Sequence, residues 1–221
     1  MADLTVWLAI SWPKNLASVN FFSLPTNVRT SVYKLTLAVP HPLYLFEDTG
    51  SRLGVFAPGK PRQWLAFAVL YVVNQFTFEE VGSTRHEGRS LRSFLQSISS
   101  NNSRYLSHLC IKFPALQRIG GQPEEIKLAE ASLQNLERLR SECWNLKTLE
   151  TLVYGIDSSD LFRGDLNDNH PFRGVLTEID ALLRGINCLD KLIVRFSSGS
   201  PSPSVEEFLQ GLGWVVIPGV S

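Results

Sequence analysis

The sequence predicts an α/β protein in which an irregular N-terminal helical segment precedes alternating strands and helices on a mostly parallel sheet. Three observations carry this reading. From residue 74 onward, short runs of period-two alternation exchange with longer runs of helical period, the order expected of parallel strands joined by covering helices. The pattern Leu106-x-x-Leu109-x-Ile111-x-Phe113 returns as Leu149-x-x-Leu152-x-Tyr154-x-Ile156 and as Leu189-x-x-Leu192-x-Val194-x-Phe196, at spacings of 43 and 40 residues. Apolar residues make up 44% of the 221, with thirteen Phe and five Trp, enough to bury a core.

Residues 1–20 carry little pattern and read as a tail. Leu24 to Leu37 reads as a short amphipathic helix. Pro25 suits the first helical position, where its missing N–H costs nothing, and Val28, Val32 and Leu35 follow at helical spacing with Arg29 and Lys34 facing water. Residues 38–63 read as a Pro/Gly-rich loop containing a short apolar stretch, Leu43–Phe46. The apolar run Trp64–Val73 is half the ~20 residues a membrane helix needs and reads, like Leu4–Trp12, as core.

The array then begins. Asn74–Phe78 is a predicted strand, and Glu87–Ile98 a helix with Leu91, Phe94, Leu95 and Ile98 on one face. Tyr105–Phe113 is strand-like. Pro123–Cys143 is read as the strongest helix, opened by Pro123-Glu124-Glu125 and striped by Ile126, Ala129, Leu133, Leu136 and Leu139. Leu149–Ile156 and Leu189–Phe196 are strands around a helix at Val175–Ile186. Pro203–Leu212 is a last helix, ended by Gly213 before a strand at Trp214–Ile217. The division is therefore a tail at 1–20, a helical segment with its loop at 21–73, and a strand–helix array at 74–221.

In each recurring unit the alternating half fits a strand with one buried face, and the leading leucine packs the turn before it. This suits a degenerate leucine-rich-repeat-like array and equally an ordinary parallel sheet, since the units are long and lack the consensus asparagine. On either reading His108, Lys112, Lys191 and Arg195 fall at exposed strand positions that can form a binding surface or a merely solvated one.

Lys plus Arg equals Asp plus Glu at 21 each, which argues against a nucleic-acid or anionic-membrane partner held by bulk charge. Cys110, Cys143 and Cys188 make neither an even disulfide set nor a CxxC pair, and read as reduced structural thiols of an intracellular protein, cytoplasmic or nuclear. Asn101-Asn102-Ser103 matches a glycosylation sequon but reads as a helix-ending loop.

Motifs for chemistry fail on inspection. Gly54-Val55-Phe56-Ala57-Pro58-Gly59-Lys60 imitates a phosphate-binding loop, yet Pro61 stands where Ser or Thr must hold magnesium, and Pro58 removes a backbone donor. Asp165-Leu166-Asn167-Asp168-Asn169 imitates a calcium loop with His170 at the glycine position and Leu176 at the glutamate position, and reads as a polar loop capping the helix begun near Pro171. His41, His86, His108 and His170 show no ligand spacing. No catalytic residue, cofactor or metal is expected.

Residues 24–37 resemble the opening LPxEIRxxIYxxxL of an F-box-like family abundant in filamentous fungi. Val69-Leu70-Tyr71 with Asn74-Gln75-Phe76-Thr77-Phe78 resembles that family's "FY…N.F.F" segment, and Phe94-Leu95, Asn101 and Leu109-Cys110-Ile111-Lys112-Phe113 its continuation, so that the resemblance covers roughly 21–115. Two departures stand out. Asn27 occupies the glutamate position, and Trp64-Leu65-Ala66-Phe67 runs almost directly into Val69-Leu70-Tyr71 where the family has a further "VNRQ…EA" helix. A lost helix implies apolar surface without its partner, and marginal stability or a rearranged N-terminal half. The resemblance implies a non-enzymatic interaction protein whose Leu24, Pro25, Val28, Val32 and Leu35 face the Skp adaptor of a cullin ubiquitin ligase while the C-terminal array recruits a protein substrate. The same helix face packed on the chain's own sheet is the alternative. An intracellular enzyme with a loop-assembled site, and a truncated paralogue without activity, are the other functional readings.

Overall fold

The structure, a computed structural model, describes residues 21–46, 64–79, 89–118, 126–154, 162–167 and 170–219. Six strands stand side by side in the order in which the chain makes them: β1 Leu43–Phe46, β2 Gln75–Glu79, β3 His108–Lys112, β6 Thr148–Val153, β7 Lys191–Phe196 and β8 Val215–Ile217. Every neighbouring pair is parallel. Parallel neighbours require a crossover, and crossovers keep one hand, so a sheet that always steps in one direction returns its connections over one face.

The packing agrees. Phe76, Leu109, Leu149 and Leu192 lie opposite one another in register and share a single core cluster with helix residues Leu95, Leu139 and Leu183. Cys110 and Ile193, on the alternate positions, are buried but stand outside that cluster. The helices are α2 Trp64–Val73, α3 Arg89–Ile98, the single turn α4 Ser100–Ser103, α5 Glu130–Glu142, α6 Pro171–Arg184 and α7 Pro203–Gly211, with α1 Thr26–Leu37 beside α2. The backbone segments leading into the strands stack as a ladder. The N–H groups of Lys147 and Thr148 donate to Ser107 O at 2.9 and 3.0 Å, and those of Asp190 and Lys191 both donate to Lys147 O at 2.9 Å.

Most predicted elements lie where periodicity puts them. In α3, Leu91, Phe94, Leu95 and Ile98 are all buried, and Gly213 ends α7 in the left-handed region at φ 80°. Four readings need correction. Leu43–Phe46 is a strand of the sheet rather than part of a loop, paired with Phe76–Glu79. Residues 126–128 are a strand, β5 Ile126–Leu128, and not the start of a helix. It pairs antiparallel with β4 Leu116–Arg118, burying Ile126 and Leu128 while Lys127 faces out. Ala129 holds extended backbone and the helix begins only at Glu130; Pro123–Glu125 lie outside the described residues. The sequon 101–103 is part of the α4 turn, following a break at Ser99 with φ 68°.

The fourth correction concerns the repeat. Leu149 pairs with Leu109 and Leu192, not with the positions of Leu106 and Leu189. The structural unit is therefore Leu106-x-x-Leu109-x-Ile111-x-Phe113, Leu146-x-x-Leu149-x-Thr151-x-Val153 and Leu189-x-x-Leu192-x-Val194-x-Phe196. Thr151 hides the middle register by placing a hydroxyl at an inward position. Its side chain is satisfied by donating to Ile193 O at 3.2 Å, so a polar atom is tolerated in the core.

Candidate interaction surfaces

Pro25 sits just ahead of the N-terminal helix with φ −52° and ψ 147°, and no side chain caps that end. Arg29 ties the lead-in down instead, its Nε donating to Leu24 O at 3.1 Å. Phe21 packs edge-on against Tyr33 at 5.3 Å between centroids. The helix rests on α2, and Arg29, Tyr33 and Leu37, spaced about a turn apart, form a half-buried side.

The apolar stripe read from the sequence points elsewhere. Val28 is 40% exposed and Leu35 85% exposed; Pro25 is also exposed, whereas Leu24 and Val32 are half-buried. No residue of α1 is fully buried. The five residues thus share one helix and its lead-in, with Val28 and Leu35 turned away from the core.

Asn74 joins this helix to the rest of the chain, a role that sequence reading missed by assigning it to a strand. Only 2% exposed, it accepts from Val39 N–H at 2.7 Å and donates through Nδ2 to Leu37 O at 2.9 Å and Leu70 O at 2.8 Å. One amide side chain thereby satisfies terminal carbonyls of both α1 and α2.

The second surface is the sheet face opposite the core. By register it carries Gln75, His108, Thr148 and Lys191 in one row, Thr77, Cys110, Glu150, Ile193 and Val215 in the next, and Lys112, Leu152, Arg195 and Ile217 in a third. The four exposed strand positions read from the sequence therefore do converge on one face. Glu150 is 5% exposed and its Oε1 accepts from Arg195 Nε. This bond, more than the accompanying charge attraction, raises the Arg195 guanidinium above its ordinary value.

Burial lowers the His108 imidazole below its ordinary value, opposed by Glu150 and reinforced by Lys191. Its Nε2 is enclosed with no hydrogen-bond partner among the described residues. A lowered histidine binds its proton later than the unfolded chain does. We therefore expect no contribution to pH dependence above the ordinary histidine value of about 6.5, and a loss of stability as pH falls through it. Denaturant midpoints of wild type and His108→Gln should run in parallel at neutral pH and separate on acidification, with wild type falling further; parallel curves throughout would contradict this assignment.

Other perturbed groups are scattered through the core. Burial raises Tyr71, and burial followed by the nearby Glu142 pushes the Cys143 thiol up to about 12, which leaves it protonated and unreactive. The three cysteines are free thiols. His170 caps α6 by accepting from Phe172 N–H through Nδ1 at 3.2 Å, and His41 is exposed. Among the described residues no group of His, Cys, Asp and Glu is placed to hold a metal ion, and no helix is long and apolar enough to cross a membrane. His86, the phosphate-loop-like 54–60 and part of the calcium-loop-like segment lie outside the described residues. Comparison with protein-family models, curated proteins and solved structures finds no match.

Proposed function

We propose that this chain is a non-enzymatic protein-interaction module of F-box-like type, a substrate-recruiting subunit of a ubiquitin ligase. In this reading α1 docks on the Skp adaptor through Leu24, Pro25, Val28, Val32 and Leu35, and the C-terminal strand–helix units act as a leucine-rich-repeat-like reader of a protein substrate. The observation that carries it is the placement of exposed apolar side chains. Of seven large hydrophobic residues exposed among the described residues, five (Phe22, Val28, Leu35, Val39 and Val72) fall in the N-terminal segment, on or beside α1 and α2. Scattered single apolar residues need no explanation, whereas a concentration on two packed helices suits a helix-in-groove contact. It is also what the resemblance implies for a module lacking one helix. The perturbed groups give the enzyme alternative no specific support: Tyr71, His108 and Cys143 are shifted mainly by burial, and Arg195 by its bond to Glu150.

The test is capture of the folded chain by purified Skp adaptor. Val28→Asp/Leu35→Asp is the informative variant because both side chains already reach solvent, so circular dichroism should be unchanged. We expect wild type to be retained and the variant to lose at least tenfold in affinity, on the scale of desolvating two charges in an apolar groove. A folded wild type that is not retained, or equal retention of both, would remove the adaptor reading.

A further inference from the structure

A cavity of about 360 Å³ lies where the chain enters β1, β2, β3 and β6, at the low end of the ~300–1,000 Å³ typical of small-molecule sites. One wall is apolar, formed by Val39, Pro40, Pro42 and Val73, and the other is polar, with no carboxylate in the lining. Two of the polar residues are committed to the fold. The Asn74 amide serves α1 and α2, and Ser107 Oγ donates to Val72 O at 2.6 Å. Five are not: the side chains of His41, Gln75, His108, Lys147 and Thr148 form no hydrogen bond or ion pair among the described residues. Gln75, His108 and Thr148 stand side by side in register, ~4.8 Å from strand to strand. Lys147 precedes Thr148 and is exposed, and His41 comes from the connection between α1 and β1. Glu150, whose charge reaches His108, is bonded to Arg195 and lies outside the lining, as does Asp190.

We propose that this cavity binds a small organic anion, its carboxylate or phosphate head on Gln75, His108, Lys147 and Thr148 and its apolar body against Val39, Pro42 and Val73. The Lys147 ammonium has donors only, and the Gln75 amide and Thr148 hydroxyl supply more. Nε2 of His108 is enclosed, which leaves Nδ1 as the nitrogen for a ligand. With a permanent positive charge and no carboxylate in the lining, this set suits an acceptor-rich anionic head, and bonds to a charged group are the stronger kind. The wall of proline and valine gives the rest of the molecule a surface to cover, the usual division of a small-molecule site into apolar contact and a few orienting polar groups. The proposal stands apart from the adaptor reading, since no residue of the polar wall belongs to α1.

Amide chemical shifts of the isotope-labelled full chain test this during titration with phenyl phosphate, benzoate, inorganic phosphate and neutral benzyl alcohol. We expect phenyl phosphate or benzoate to move the amides of Ser107, His108, Lys147 and Thr148 saturably, and the tighter of the two names the head. Affinity should fall as salt rises. Inorganic phosphate, which has no apolar body, should bind less tightly than phenyl phosphate. Lys147→Gln, at an exposed side chain, should weaken binding roughly tenfold, the scale of one hydrogen bond between charged groups. Lys127→Gln, the same change on β5, should leave it unaltered. No saturable shift with either organic anion, equal binding of benzyl alcohol, inorganic phosphate as tight as the organic anions, or indifference to Lys147→Gln would each overturn the proposal. Val28→Asp/Leu35→Asp should lose adaptor capture and bind the anion as wild type does. Failure of anion binding with capture intact would reject this cavity alone, and the converse would reject the adaptor reading alone.

Discussion

Replacing Phe162 by alanine should destabilise the fold by about 3–5 kcal/mol, the range for removing a fully buried phenylalanine. Phe162 is 1% exposed and meets three other rings edge-to-face: Phe113 at 5.0 Å, Phe172 at 5.1 Å and Phe196 at 5.3 Å between centroids. Those rings follow β3, open α6 and end β7, so one side chain bridges two strand ends and a helix. Each edge-to-face contact adds stabilisation beyond the area it buries. The surrounding backbone depends on the same point: Ser202 N–H donates to Phe162 O at 2.7 Å, Ser202 Oγ donates to Gly164 O at 2.8 Å, and Leu166 N–H donates to Ser204 Oγ at 2.9 Å. These bonds tie residues 162–167 to the start of α7. Urea unfolding of Phe162→Ala against Phe162→Leu should show a much smaller loss for leucine, because it fills more of the space. Amide exchange should accelerate first at Leu166 and Val205. A loss below about 1 kcal/mol for alanine would mean that the four rings do not pack as described.

How much of this was legible in the sequence depended on whether a segment's period had one meaning. The α3 helix has only one: Leu91, Phe94, Leu95 and Ile98 fit no strand, and all four are buried. Ile126, Ala129 and Leu133 fit a helix by spacing, but Ile126-Lys127-Leu128 fits a strand equally well, and pairing with Leu116–Arg118 decides it. Local pattern cannot see that partner. Leu43–Phe46 failed for a similar reason, because four apolar residues amid proline and glycine become a strand only through β2. The repeat was visible and its register was not, since Thr151 satisfies its hydroxyl across the sheet on a carbonyl 42 residues away.

The candidate surfaces divide in the same way. Strict alternation in β3 and β7 was enough to place His108, Lys112, Lys191 and Arg195 on one side, and the parallel register brings them together. The Glu150–Arg195 pair could not be read, because a lone glutamate at a strand position gives no sign of burial. On α1, spacing set Val28, Val32 and Leu35 along one helix but did not show which of them the fold covers: Val32 is half-buried, and Val28 and Leu35 are exposed. The helix packs on α2 with Tyr33 and Leu37 half-buried, while Val28 and Leu35 face outward. The end of that helix is tied to α2 by Asn74, a polar residue whose importance no periodicity records.

That asparagine carries the second large effect. Asn74→Asp keeps the acceptor for Val39 N–H but replaces the Nδ2 donor with an oxygen facing Leu37 O and Leu70 O, at a site 2% exposed. Two carbonyls would lose their donor, and a buried carboxylate would stand against them without a cation, a change on the order of 3 kcal/mol or more. Asn74→Ala loses the same hydrogen bonds but buries no charge, so it should be the milder of the two. The pair also separates by pH. A carboxyl forced into this setting binds its proton more tightly than in the unfolded chain, so Asn74→Asp should recover relative to Asn74→Ala as pH falls toward about 4. Because these hydrogen bonds join the end of α1 to that of α2, the damage should begin there. α1 would detach, and on the proposed adaptor reading capture would be lost through a residue that itself touches no partner. Equal stability of aspartate and alanine at neutral pH would show that water reaches this site, and that Asn74 is not what joins α1 to α2.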